Sequence, residues 1–397
     1  MRRLALVALL LVSACRLTSA DVVLSSPAEC AGQRADGLSP DRVVVGGIYP
    51  LSGPASAYAA VAQGVSAYFA WANARGGVAG RQVEFLVRDD GYQPARAVEE
   101  ARRLVDSDRV FALFQTLGTP STAAVRGYAD RRGVPQLFVA SGASDWGDAS
   151  YPWTIGFQPT YAAEARVYAE HLLRTRPHAT VAVLYQNDDF GHELLTAFEE
   201  AVAGTGVEVV ARRSYEVMDA DVQAQMADLA GSGAGVFLNV GTPKFAAQAL
   251  AADAAMTGWN PLHLLNGVAN TPSLIAAVGP AALRGVLTTN FYKDPAAWPD
   301  DPAVRTYLGA VGKYVPEADP SSSQVMFGWT SAAAFAATME RMECPSREGL
   351  MAAARHLRGV ELGTLLPGIT LSTSPDDPYP VEELRVFRFA DSRWEAV

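Results

Sequence analysis

The sequence predicts an α/β protein built as two doubly wound, parallel-sheet lobes joined by three hinge crossings. Two observations predict it. Apolar strand-like runs alternate with segments of helical period from Arg42 to about residue 258, and the alternation breaks and restarts near residues 157–165. The chain has 397 residues, 49% of them hydrophobic and 19% charged, which is enough for two domains of ~100–200 residues each. Strands that alternate with helices form parallel sheets covered on both faces.

Each element has its own signal. Val43-Val44-Val45, running on to Ile48, is the first strand. RQVEFLVRDD (81–90) alternates at period two and reads as the second. PARAVEEARRLVD (94–106) carries apolar residues at helical spacing. VFALF (110–114) is a buried strand, and PSTAAVRGYADRRG (120–133) is a helix with a glycine stop. VPQLFVA (134–140) closes the first series. The second series runs as helix 164–176, strand 179–186, helix 192–206 and strand 207–215. It continues with helix 222–233, strand 235–240 and helix 243–258. The stretches FQPTYAAEA (157–165), TTNFYKDP (288–295) and LLPGITLSTSP (365–375) read as the three crossings. They divide the chain into a first lobe of 42–157 plus 291–366 and a second of 158–290 plus 367–397.

Two successive strands end alike. LFQTLGTPSTAA (113–124) and LFVASGAS (137–144) both run from apolar residues into glycine and hydroxyls. In open parallel sheets ligands bind outside the carboxyl ends of strands. Bare N–H groups at a helix start, together with hydroxyls, suit an anion there. The plainer alternative is that Thr119 and Ser144 simply cap the helices that follow.

The N-terminus reads as an export signal over residues 1–14: Arg2-Arg3, the apolar run LALVALLLV, then small residues. The run is shorter than the ~20 residues a spanning helix needs. Val12-Ser13-Ala14-Cys15 looks like a bacterial lipobox, with Cys15 the lipidated first residue; cleavage after Ala20 is the alternative. Residues 15–41 form a Ser/Pro/Ala/Gly-rich tether. Beyond Cys15 the cysteines are Cys30 and Cys344, an even pair that suggests a disulfide in an oxidising compartment. The formal charge is −10, and losing residues 1–14 with their two arginines makes it −12. With no basic field, nucleic-acid binding is excluded. The five histidines show no metal-ligand spacing, and GSGAG (231–235) ends a helix rather than opening one, so it is no dinucleotide turn. Neither catalysis, a metal nor a cofactor is expected.

With these elements placed, the chain from about Arg42 to near its C-terminus resembles the solute-binding proteins of bacterial ABC importers. Within that type I periplasmic fold it is similar to the branched-chain amino-acid (Leu/Ile/Val) group. The resemblance rests on YPLSGPASAYA (49–59), NARGGVAGRQVE (73–84), LGTPSTAA (117–124), GVPQLFVASGAS (133–144), YQNDDFG (185–191), PKFAAQA (243–249), KDPAAWPDDP (293–302) and LLPGITLSTSPDD (365–377), in that order. It implies a ligand clamped between the lobes and delivery to an ABC permease and its ATPase; a non-transporting sensor of the same fold is the alternative. Residue by residue, it implies that Thr119, Ser144 and the backbone at Ala143 hold a ligand carboxylate. It further implies that Tyr58, Phe190 and Thr242 contact the ligand. The family's second-lobe glutamate, which pairs with a ligand ammonium, aligns with Asn266 in LLNGVAN (264–270). A neutral residue there disfavours an ammonium unless Asp188, Asp189 or Glu164 substitutes.

Overall fold

The computed structural model describes residues 35–397. The export signal, Cys15 and Cys30 lie outside them. Five strands make the first sheet: β1 (Arg42–Tyr49), β2 (Gln82–Asp89), β3 (Ala112–Phe114), β4 (Gln136–Val139) and β5 (Thr154–Gly156), all parallel in the order β2-β1-β3-β4-β5. Helices α1 (Ala59–Asn73), α2 (Pro94–Arg102) and α3 (Thr119–Arg132) connect them. The expected glycine stop of α3 is real: Gly133 sits at φ +58°, and its N–H closes the helix onto the Ala129 carbonyl.

The chain then enters the second lobe through α4 (Tyr161–Thr175), β6 (Thr180–Gln186), α5 (Asp189–Val202), β7 (Glu208–Tyr215), α6 (Gln223–Ala230) and β8 (Val236–Val240). It proceeds through α7 (Pro243–Ala255), β9 (Leu262–Leu265), α8 (Pro272–Leu283) and β10 (Leu287–Asn290). In α5 the buried residues Phe190, Leu194, Phe198 and Val202 recur every fourth position, which is the core-facing stripe of a helix. Three further helices, α9 (Pro302–Tyr314), α10 (Ser323–Glu340) and α11 (Arg347–Ala354), return to the first lobe. There Phe335 of α10 stacks on Phe69 of α1 and Phe114 of β3 at 5.6 and 5.2 Å. A terminal hairpin, β11 (Arg385–Ala390) and β12 (Arg393–Ala396), adds two antiparallel strands to the second sheet, whose order is β12-β11-β10-β9-β8-β6-β7.

The first two crossings fall at 157–160 and 291–301. The second runs beside the segment around Leu365: Lys293 N–H donates to the Thr364 carbonyl at 2.8 Å and Leu366 N–H to Phe291 at 3.0 Å. The buried Lys293 ammonium locks the pair by donating to Asp301 at 2.6 Å and the Gly363 carbonyl at 2.7 Å. The third crossing comes later than the sequence suggests. After Leu366 the chain turns back to the first lobe, where Thr373 bonds to Leu357 and Ala354. Leu371 and Val381 bury with Leu357 and Val360. The chain therefore leaves the first lobe only near Leu384. No period marks this excursion because its apolar residues are spaced by turns, not by a helix or strand.

Candidate functional site

The carboxyl ends of β1, β3 and β4 face those of β6 and β8 across a cleft, and all three crossings border it. The cleft encloses about 810 Å³ of empty space, its open mouth included. Gln158 and Pro159 of the first crossing, Asn290, Phe291 and Tyr292 of the second, and Leu384 before the third line it. The first lobe adds Tyr58, Tyr92, Leu117, Gly118, Ala140 and, from α10, Gln324 and Phe327; the second adds Tyr161, Glu164, Phe190, Thr242, Gly267, Val268 and Thr289. The walls are mostly aromatic and aliphatic, with a few polar groups, as small-molecule pockets usually are. Glu164 is the one charged side chain among the lining residues.

The matched glycine-hydroxyl ends do come together, because Leu117 pairs with Ala140 in parallel register. The hydroxyl that meets Thr119 is not Ser144, however, but Ser141, at 2.8 Å, with the Tyr161 hydroxyl 3.4 Å away in the opposite lobe. Thr119 does not cap its helix. The N-cap of α3 is Gly118, at φ +93°, a conformation glycine adopts without strain, and it makes no side-chain cap. A Cβ on Gly118 would meet the Tyr92 ring at 2.6 Å. The glycine thus leaves room for that ring. Tyr92 itself sits at φ +61°, with its N–H held by the buried Asp90 carboxylate at 2.9 Å.

Ala143 is buried and outside the lining, and Ser144 points its N–H and hydroxyl at the Glu193 carboxylate. Tyr58, Phe190 and Thr242 line the cavity, with the Phe190 ring 4.8 Å from that of Tyr161. Thr242 starts α7 and receives no cap from its own side chain; its N–H donates to the Tyr215 hydroxyl at 2.9 Å. Asn266 is fully buried beneath the cavity floor. Its amide donates to the Asn239 and Gly241 carbonyls at 3.0 and 2.8 Å, so it shapes the loop rather than facing the cleft. Asp188 caps α5 through Gly191 N–H and accepts from Gln186. Cys344 is disulfide-bonded and 5% exposed.

The acid at the cavity is Glu164, one turn into α4. Its Oε1 accepts from Gly267 N–H at 2.7 Å and from the Thr289 hydroxyl at 2.9 Å. Burial pushes its carboxyl up to about 7, although those donors, with Tyr168, pull the other way. Burial also raises Tyr58 and Tyr92 well above the ordinary tyrosine value, and Tyr161 to about 12, so each hydroxyl stays neutral and able to donate. Glu164 is one of the three acids the sequence offers as a substitute; Ser141, Tyr161 and the aromatics of the second crossing lie in LFVASGAS, FQPTYAAEA and TTNFYKDP without being singled out there. The signal that would have found them is that a two-lobed cleft must be lined by its own crossings. Gln324 and Phe327, from a helix that returns late in the chain, carried no such signal. Among the described residues no cluster of three His, Cys, Asp or Glu is placed to hold a metal, and no helix is long and apolar enough to cross a membrane.

A cleft between two α/β lobes, bordered by three crossings and built from donors, aromatics and one acid, defines a two-lobed ligand-binding protein of the type I periplasmic fold. Residues 42–393 match the periplasmic binding protein family, and the chain belongs to it. It is thus a binding protein and not an enzyme. Among its relatives is the "Leu/Ile/Val-binding protein homolog 7" of Brucella suis biovar 1, 27% identical over 211 residues, which are 49% of this chain and 51% of that one. The match thus spans about half the length of that relative. Among solved structures, a fatty acid ABC transporter substrate-binding protein from Thermomonospora curvata superposes with a TM-score of 0.80 at 22% identity, over 92% of this chain and 93% of that chain. A branched chain amino acid ABC transporter from Thermus thermophilus with bound valine does so with a TM-score of 0.80 at 21% identity, over 91% and 96%. These two likenesses speak to the fold.

Proposed function

We propose that this protein is an exported receptor that captures a small, mainly apolar carboxylate-bearing molecule and delivers it to an ABC permease and its ATPase. An apolar amino acid is the ligand class we favour. The observation that carries this reading is the pairing of an aromatic cavity with a lone carboxyl, Glu164, inside it. In this reading the ligand carboxylate lies at the α3 start, near Gly118 and the Thr119–Ser141–Tyr161 hydroxyls. Its apolar body packs among Phe190, Phe291, Tyr292 and Phe327, and its ammonium meets Glu164. Asn266 then ceases to count against an ammonium, because another acid of the second lobe serves. The relatives named for Leu/Ile/Val and the solved fold with bound valine agree with this class, while the fatty acid receptor marks the competing one, an acid with no ammonium.

The two ligands make opposite demands on Glu164. An ammonium needs it ionised; with a carboxyl titrating near 7, leucine or phenylalanine should bind about tenfold more tightly at pH 8 than at pH 6. An acid without an ammonium would use the protonated form as a donor and bind more weakly at pH 8. Calorimetry with leucine, phenylalanine, 4-methyl-2-oxopentanoate and 4-methylpentanoate at both pH values separates them. Glu164→Gln should cost the amino acids about 3–5 kcal/mol, the usual result of leaving a buried charge unpaired. Tight binding of the oxo or des-amino acid, with leucine silent, would reject the amino-acid reading.

A further inference from the structure

Glu193 stands on α5 in the second lobe, and Ser144 lies between β4 and β5 in the first. The Glu193 carboxylate accepts the Ser144 N–H at 3.0 and 3.1 Å and the Ser144 hydroxyl at 2.6 Å. From the other side, the Tyr379 hydroxyl donates to the Ser144 carbonyl at 2.5 Å, which fixes the serine in place. Neither Glu193 nor Ser144 lines the ligand cavity. The bonds run from one lobe to the other, and they are charge-assisted. We propose that Glu193 and Ser144 form a ligand-independent closure latch, which holds the two lobes together before any ligand arrives.

The latch follows from what these donors do when they have no ligand to hold. A backbone N–H and a hydroxyl that converge at a strand end make an anion site. Here the anion is internal: α5 presents its own carboxylate, and the donors are occupied only while the lobes are closed. Opening the cleft would exchange these charge-assisted bonds for bonds to water, and the difference biases the open–closed equilibrium toward closure. Thr119 and Ser141, bonded to each other, lie behind the lining residues Gly118 and Ala140 and take no part in the latch.

The test is small-angle scattering of the ligand-free, dialysed protein, with Glu193→Ala, Ser144→Ala and the double variant beside the wild type. Loss of the latch should lower the closed-to-open ratio by about tenfold or more, read as a larger radius of gyration in Glu193→Ala. Ser144→Ala keeps its N–H and should fall between. The double variant should match Glu193→Ala, because both changes break one interaction. Circular dichroism melting establishes that each variant is folded; should Glu193→Ala fail to fold, the milder Ser144→Ala decides by the same comparison. A ligand-free wild type with the same radius of gyration as a folded latch variant, whether both are open or both closed, overturns the proposal.

Discussion

A single carboxyl carries most of the chemistry at the residue scale. Glu164 is buried with two donors that do not fully replace water, so its proton is held to about pH 7 in the folded protein against about 4.5 when unfolded. The sign follows from linkage. The folded state binds this proton more tightly than the unfolded one, so the stability it contributes is complete below about pH 4.5 and is lost as pH rises to about 7. A shift of this size is worth roughly 3 kcal/mol, at about 1.4 kcal/mol per pH unit. The ligand-free Glu164→Gln variant should therefore lose that part of the decline. Denaturant unfolding at pH 5 and pH 8 should show the wild type destabilised relative to Glu164→Gln at the higher pH only. A difference that does not change with pH would mean that the carboxyl titrates where it does in water. Asn266 illustrates the limit of alignment at this scale. The residue sits at the end of β9, but its amide is spent on two backbone carbonyls below the floor.

Elements are where close packing decides. Helices α1 and α10 are far apart in sequence yet meet backbone to backbone in the first lobe. A Cβ added to Gly64 would lie 1.9 Å from the Val325 carbonyl oxygen, and one added to Gly328 would lie 2.0 Å from that of Val61. The contact is reciprocal, each helix lending a glycine to the carbonyl of the other. Beside this contact Phe69 of α1 meets Phe335 of α10 edge to face, 5.6 Å between ring centres. Gly64→Ala and Gly328→Ala should each destabilise the protein by about 1–3 kcal/mol or more, as overpacked cores do, with a helical far-UV spectrum retained. Chemical denaturation of the pair checks this; an unchanged midpoint would mean that the helices simply slide apart. Between Arg42 and residue 258 the periodicity of the chain placed every strand and helix except α1 and β5 to within a few residues, because burying one face of a helix or both faces of a parallel strand leaves a local repeat. It did not announce the terminal hairpin or the excursion that delays the third crossing, since both are held by contacts with segments distant in sequence.

For the whole molecule, closure and location are the properties to test. A ligand that bridges the lobes should raise the melting temperature with the logarithm of its free concentration once that exceeds Kd, because it binds the folded state alone. Location turns on Cys15. If the chain is anchored by a lipid at that residue, Cys15→Ser should move it from the membrane fraction to the soluble one. A wild-type protein that is already soluble and begins at Asp21 would show ordinary cleavage after Ala20 instead.

By itself the sequence determined the α/β class, the alternation of elements, the two lobes and the family. These depend on local period and on short motifs that must recur in order, and both survive in a linear string. It also pointed to two strand ends that border the cavity, since glycine and hydroxyls at two successive strands are a local pattern. Only the tertiary structure decided which hydroxyl meets Thr119, which acid faces the cavity and what Ser144 holds. Those choices depend on side-chain direction across a cleft. Ser141 and Ser144 are three residues apart in sequence, yet one bonds to Thr119 and the other to an acid on the opposite lobe. The path of the backbone between them, set by how the two sheets close on each other, assigns the roles.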